Sequence, residues 1–378
     1  MKITARVFLR IWTPDISANK NLTQDLTCYM IILVVYFYCL MKTLKGIIGM
    51  NFKKVISVIT AVFVMTGCIC SCAKKDGAHI PHRFASAEEG RELMLANNEN
   101  YYDHFSQNDL DFKMQKDGAT MEEYKAFAAE QVLDFSGFEK SFINRRIKNI
   151  EKILDKNGYK LPELDEIVFI KTTMREELGA SGYTHGTQIY LNSTIIATYS
   201  LMSIFPETAQ LADELICHEL FHCLTRNNPQ FKKDMYSLIH FTVVDKDFEL
   251  PDSVFEYHIQ NPDVEHHDSH ATFIIDGKEV KCFTDFITTK HFKEAQSTFF
   301  SCNETALIPI DGTDIYYTPA QASNFDEVFG KNTGYVNDPE ECLADNFAYA
   351  LVYGIEGRDK QGYPNPEIIQ GILDYLKK

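Results

Sequence analysis

The chain has 378 residues, 45% of them hydrophobic and 12% aromatic. That is enough apolar material to bury a core in one large domain or two smaller ones, and it excludes a disordered chain. The net charge is −16; residues 1–67 hold eight Lys/Arg and two Asp/Glu, which leaves 29 Lys/Arg against 51 Asp/Glu for the rest. So acidic a body repels phosphate backbones, and nucleic acid is not an expected partner.

In chain order, the first informative stretch is "MNFKKVISVITAVFVMTGC", which opens at Met50. Lys53 and Lys54 make a basic start, residues 55–65 an apolar run too short to span a bilayer, and Thr66-Gly67-Cys68 a small-residue stop. This resembles a bacterial lipoprotein signal. The resemblance implies that residues 50–67 are removed and that Cys68 is acylated, anchoring the chain to the bacterial cell envelope, on the periplasmic or surface face of the outer membrane. Met65 departs from the pattern at the third place before the cysteine, and Cys70 and Cys72 offer a second site. A short anchor that stays uncleaved is the alternative. Residues 1–49, whose apolar run over residues 29–40 is also short for a span, then read as an upstream extension from a start codon chosen in error.

Residues 68–85 carry Lys74, Lys75, Asp76, Gly77 and Pro81 without periodicity and read as a tether. Residues 86–160 read as a helical subdomain: Ser86 with Glu89 and Thr120 with Glu123 fit capping boxes, and Phe138, Phe142, Ile147, Ile150 and Leu154 recur at helical spacing until Gly158. The period then changes. "EIVFIKTTM" from Glu166 and "TQIYLNSTII" from Thr187 are rich in β-branched and aromatic residues and predict two strands joined by "ELGASGYTHG". Pro206 suits a helix start, and Ala209, Ala212, Leu215, Ile216 and Leu220 supply its apolar face.

That helix carries "ELICHELFHCLTR", with the pattern H-E-x-x-H at His218, Glu219 and His222. Residues four apart on an α-helix differ by about 40° in azimuth and about 6 Å along the axis, so both imidazoles can face one cation, which zinc accepts readily. Glu219 is rotated by about 100° from His218, beside the cation, where it can take a proton from water. Two polar residues on a solvated helix face are the bland alternative; Ile216, Leu220 and Phe221 argue against it by implying burial.

A structural zinc site takes four protein ligands and a catalytic one three with an open position. Thr225 and Asn228 stand where a metzincin would have glycine and histidine, which excludes that clan. Downstream, "NDPEECLADNFAYAL" places Glu341 and Asp345 four residues apart at the start of a helical pattern. H-E-x-x-H followed by E-x-x-x-D resembles the gluzincin zinc metallopeptidases: "LADN" looks like the neprilysin segment, and E-x-x-A-x-x-F is similar to the matching helix of lethal-factor-like enzymes. Some 30 residues carry the resemblance. It implies a zincin-like catalytic domain over residues 161–378, one catalytic Zn2+ held by His218, His222 and Glu341, and Asp345 bonded to a ligand histidine. It also implies hydrolysis of peptide bonds, with Glu219 as general base on a zinc-bound water. Glu340 competes with Glu341 for the ligand role but lacks an acidic partner four residues on, and Ala344 would let the second helix approach closely.

Lethal-factor-like enzymes stabilise the oxyanion with a tyrosine shortly before the ligand glutamate, which by resemblance singles out Tyr335, with Tyr316, Tyr317 and His291 as weaker candidates. No G-x-M-E-N segment of the aminopeptidase branch occurs, so cleavage within peptides or proteins is expected. The gap from His222 to Glu341 implies an insertion at about residues 227–330. Its "EHHDSH" from Glu265 reads as a solvated acidic loop rather than a second metal site, since adjacent histidines on extended chain point apart. Cys217, Cys223 and Cys342 read as buried small residues, and Cys282 and Cys302 could pair in an oxidising compartment. The expectation is a lipid-anchored α+β zinc endopeptidase with a helical N-terminal region, acting on peptide or protein substrates. The alternative is a surface lipoprotein that binds a metal or a partner without turnover.

Overall fold

The computed structural model describes residues 77–295 and 299–378. The expected upstream extension, signal peptide and acylated Cys68 lie outside these residues. Among the described residues no helix is long and apolar enough to cross a membrane. Residues 76–378 form one compact unit, so the helices expected as a subdomain over 86–160 and the region 161–378 belong to one body, of mixed α+β class.

A five-stranded sheet organises it. Strand β1 (His82–Phe84) runs parallel to β3 (Ile167–Thr172), and β2 (Val132–Leu133) continues along the same edge antiparallel. On the other side of β3 lies the parallel β5 (Gln188–Asn192), and outside it the antiparallel edge strand β4 (Gly182–His185). Helices α1 (Ala87–Leu95), α2 (Gln107–Met114) and α3 (Met121–Gln131) follow β1, and α4 (Gly137–Asn157) follows β2. Val168, Ile170 and Tyr190 join one apolar cluster with Met94, Tyr102 and Tyr124 of the first segment. Phe169, Ile189 and Leu191 join another with Phe142, Ile147 and Ile150 of α4 and with Ile216 and Leu220. With both faces covered, β3 is buried at every position, which is why it reads as a continuous apolar run.

Several local expectations change. The tether ends early, because Ile80 enters the core and β1 pairs with the sheet, while Ile80 N donates to Glu151. Thr120 and Glu123 form their capping box, but Glu89 turns its carboxylate to Arg83 instead of completing the one at Ser86. Ser136 and Glu139 form a further box at the start of α4. Phe138 is exposed, one position into α4, while Phe142, Ile147, Ile150 and Leu154 are buried. The segment "ELGASGYTHG" is not only a connection: β4 lies within it, and Gly186, at a φ of 59° closed to most side chains, turns the hairpin into β5. The second predicted strand stops at Asn192, whose side chain accepts from Thr194 N and Ile195 N and starts α5 (Ser193–Met202), since capping those amides outweighs the β-propensity beyond it.

Helix α6 (Pro206–Asn227) begins with Pro206 at its first turn and leads into α7 (Pro229–Ser237). The inserted region builds a four-stranded antiparallel sheet in the order β6 (Thr242–Val243), β7 (Ser269–Ile275), β8 (Lys278–Thr288) and β9 (Asn303–Pro309). The chain then returns to α8 (Pro339–Tyr353), packed on α6, and α9 (Pro366–Tyr375). Ala344 is wholly buried, and Phe347 of α8 lies 5.4 Å from Phe221 of α6 between ring centroids. Cys217, Cys223 and Cys342 are buried free thiols of the same core cluster. Cys282 and Cys302 are free as well and form no disulfide: Cys282 pairs across to Ala271 and Pro309, and the Cys302 thiol donates to Phe299 O. "EHHDSH" is not a solvated loop throughout, because Ser269 and His270 enter β7, Asp268 is paired with Lys232, and His267 is largely covered.

Candidate metal centre

Helix α6 presents His218 and His222 to α8, which presents Glu340, Glu341 and Asp345 back. His218 Nε2 stands 3.1 Å and His222 Nε2 3.6 Å from Glu341 Oε2. His218 Nδ1 bonds Asp345 Oδ1 at 2.9 Å, and His222 Nδ1 bonds Glu340 Oε1 at 3.0 Å. A carboxylate oxygen only accepts, so each imidazole carries a proton on Nδ1, and its other nitrogen faces Glu341. The two neighbouring glutamates thus divide the work: Glu341 converges with the imidazoles, and Glu340 orients His222. Both orienting carboxylates are themselves held, Glu340 by Tyr236 Oη at 2.6 Å and Thr225 Oγ1 at 2.5 Å, and Asp345 by Thr333 Oγ1 at 2.5 Å.

The centre is buried. His222 is fully covered and Glu341 is 1% exposed, whereas His218 keeps some access to a cleft of about 800 Å³. His222 Nε2 has no hydrogen-bond partner at all. A buried imidazole nitrogen left without a partner costs stability, and two nitrogens converging on a carboxylate oxygen are the donor set that zinc takes. The residues present therefore fit a zinc ion.

Glu219 is buried beside them. Its Oε2 accepts from Thr184 Oγ1 at 2.9 Å, and its Oε1 lies so near Gly182 that a Cβ there would come within 2.5 Å. Strand β4 thus holds the glutamate from one side with a hydroxyl and makes room for it with a glycine. Burial raises the Glu219 carboxyl above its ordinary range, against His218, His222 and Thr184, which pull it down. Burial pulls the imidazoles down, but the carboxylates outweigh it: His218 is lifted well above its usual value by Asp345 and Glu341, and His222 is pushed up to about 10 by Asp263, Glu340 and Glu341. Burial acts to raise Glu341, but the two histidines beside it outweigh that and lower it. The field at this point favours positive charge.

Tyr335 stacks on His218, with ring centroids 6.1 Å apart and planes 12° from parallel, and its hydroxyl donates to Glu341 Oε1 at 2.7 Å. It lines the cleft, whereas Tyr316, Tyr317 and His291 do not. Apolar side chains of Tyr199, Leu211, Leu215 and Phe300 line it as well. The sequence reading missed Thr184 and Gly182, and it missed Asn261 and Asp263, which the inserted region brings against the centre. Asn261 Nδ2 donates to Glu341 Oε1 at 2.6 Å, and Asp263 Oδ1 lies 3.9 Å from His222 Nε2. "NPDVE" carries the proline of a turn, and nothing in it signals a metal.

Compared with known protein families, curated proteins and solved structures, the chain has no match.

Proposed function

We propose that the protein is a zinc-dependent metallopeptidase of gluzincin type with a zincin-like catalytic domain, cleaving within peptides or proteins and held to the bacterial envelope by a lipid on Cys68. One observation carries the reading: both imidazoles of H-E-x-x-H are locked as Nδ1–H donors to carboxylates, so their Nε2 atoms converge with Glu341 in a buried cleft wall, His222 Nε2 without a partner. His218, His222 and Glu341 would hold the zinc, with Asp345 and Glu340 fixing the tautomers. Zinc in such a site supplies Lewis-acid polarisation of a carbonyl and brings the pKa of water to about 7.

The chain's own residues do the rest. Glu219, fixed by Thr184 and given room by Gly182, takes the proton of the attacking water on a carboxylate oxygen and passes it to the leaving amine. Tyr335, at the cleft wall, keeps His218 and Glu341 in register and would offer its hydroxyl to a developing oxyanion. A cation-binding lipoprotein without turnover is the second reading, favoured by the way Asn261 and Asp263 lie across the centre.

The test sets Glu219→Gln against His222→Ala. Glu219→Gln retains stoichiometric zinc and loses about 10²- to 10⁴-fold in casein hydrolysis, the share that general-base assistance typically supplies. His222→Ala loses zinc and turnover together. Equal rates for Glu219→Gln and the unaltered protein, or no cleavage of any peptide in a diverse library by the zinc-loaded protein, would leave the second reading standing.

A further inference from the structure

We infer, on the metal-centre reading above, that Asn261 of the inserted region is a positioning residue of this centre: with Tyr335 it holds Glu341 Oε1, so that Oε2 alone faces the two imidazoles.

A carboxylate that is free to turn can offer a cation either oxygen or both. At Glu341 the two oxygens are divided. Oε1 accepts from Asn261 Nδ2 at 2.6 Å and from Tyr335 Oη at 2.7 Å, while Oε2 faces His218 Nε2 at 3.1 Å and His222 Nε2 at 3.6 Å. Two donors on one oxygen fix the rotation of the group and leave a single donor atom on the side of the imidazoles. His218, His222 and Glu341 then bring three ligand atoms together, the number that a catalytic zinc site takes from the protein. Both donors are neutral, so they orient the carboxylate without cancelling the charge that attracts a cation. Among the described residues no lysine or arginine pairs with Glu341.

Asn261 is itself fixed. Its Oδ1 accepts from Asp263 N at 2.9 Å, which closes a turn and leaves the amide nitrogen, not the oxygen, to Glu341. The backbone on either side is tied to two helices: Gln260 N donates to Asp109 Oδ2 at 3.1 Å and Lys113 Nζ to Gln260 O at 2.9 Å, both from α2, and Arg226 Nη2 of α6 donates to Pro262 O at 2.7 Å. Asp263 Oδ1 also accepts from Thr184 N of β4 at 2.7 Å. The carboxylates that orient the histidines are held by hydroxyls, Glu340 by Thr225 and Tyr236 and Asp345 by Thr333. A hydroxyl turns readily to another acceptor, whereas the Asn261 amide, bonded at both ends, does not. Glu341, the carboxylate that meets both Nε2 atoms, is the one of the three held in this way.

The experiment measures zinc affinity by chelator competition and cobalt absorption in the visible range, both on the full chain in detergent. Asn261→Ala removes the donor to Glu341 and the acceptor for Asp263 N together. Asn261→Ser keeps a hydroxyl that can close the turn but is too short to reach Glu341. Each is expected to weaken zinc by about 10-fold, the lower end of what a residue that orients a ligand contributes, because Tyr335 still holds Oε1. Each is also expected to change the cobalt absorption, since Glu341 becomes freer to present its second oxygen, and Asn261→Ser combined with Tyr335→Phe changes it most. If both Asn261 variants bind zinc within about 2-fold of the unaltered protein and keep its cobalt spectrum, the positioning role falls while the three-residue centre stands, because 2-fold is well below the 10-fold such a residue contributes. If Asn261→Ala weakens zinc and Asn261→Ser does not, the turn matters and the donor does not, and the role falls again. Weaker zinc with an unchanged cobalt spectrum in both variants places the effect in the stability of the segment and overturns it as well. An unaltered protein that binds neither zinc nor cobalt overturns the metal-centre reading itself.

Discussion

Among the described residues, two of the buried clusters of histidine and carboxylate are built to opposite ends. In the inserted sheet, His258 Nδ1 meets both oxygens of Asp285 at 2.9 Å, its Nε2 meets Gln260 Oε1 at 2.9 Å, and His267 Nε2 adds a bond to Asp285 at 3.1 Å. Gln260 spends its amide nitrogen on Asn261 O and Val264 O, so its oxygen faces His258 and both nitrogens of that ring must carry protons. The result is a satisfied imidazolium–carboxylate clasp. At the α6–α8 crossing the Nδ1 atoms are equally well held, but the Nε2 atoms face a carboxylate oxygen or nothing. The first cluster ties β8 to the segment before β7; the second has donor capacity to spare and is the one that can take a cation. What separates a structural histidine from a ligand is therefore the fate of its second nitrogen, not its burial.

The sharpest way to break this comparison is to remove a partner from each cluster. Asp285→Ala leaves a buried imidazolium without its counter-charge and is expected to cost about 3 to 5 kcal/mol of unfolding free energy, measured by denaturant titration, while zinc affinity stays where it was. A loss below about 1 kcal/mol, the value of an ordinary hydrogen bond, would show that the clasp is not the tie described.

At the candidate metal centre the equivalent change is expected to act on binding. Glu340→Gln keeps an acceptor for His222 and Thr225, turns an amide toward Tyr236 and removes the charge, and is expected to weaken zinc by about 10- to 100-fold. Unchanged affinity would mean that Glu340 serves packing alone.

A smaller and gradual effect comes from pH. Burial acts against both charges of the clasp, yet Asp285 is held below its ordinary value of 3.8 by the two histidines and His258 is raised above 6.5 by Asp285. The Asp285 contribution is complete above 3.8 and fades as pH falls through its lowered folded value; the His258 contribution is complete below 6.5 and fades as pH rises through its raised one. The stability gap between the unaltered protein and Asp285→Ala should be widest between those values and narrow on the alkaline side. Denaturant titrations at several pH values check this, and a gap that grows above 6.5 would reverse the assignment of charge.

How much of this could be read in advance follows the range of the interaction. His218, Glu219 and His222 share one helical turn and one period, so their common face is local geometry, and the apolar residues between them announce that the face is buried. Glu341 and Asp345 keep the same four-residue period. The spacing to Asp345 favoured Glu341 over Glu340, but the part Glu340 plays needed the crossing of α6 over α8, which turns one carboxylate to Nε2 and the other to Nδ1. In the inserted region the pattern failed for the opposite reason: Asp285 sits in a strand among apolar neighbours, and only the pairing of that strand brings His258 and His267 to it.

By itself, then, the sequence determined what depends on neighbours along the chain: the helix bearing H-E-x-x-H, the second helix with its acidic first turn, the buried central strand and the mixed α+β class. Tertiary structure alone decided which nitrogen meets which carboxylate, that β4 lies at a sheet edge with Gly182 and Thr184 against Glu219, and that Asn261 and Asp263 arrive at the centre from a loop. Those contacts join residues tens of positions apart. They are set by which layers pack and which strands pair, and a stretch such as "NPDVE" carries no periodicity that could foretell them.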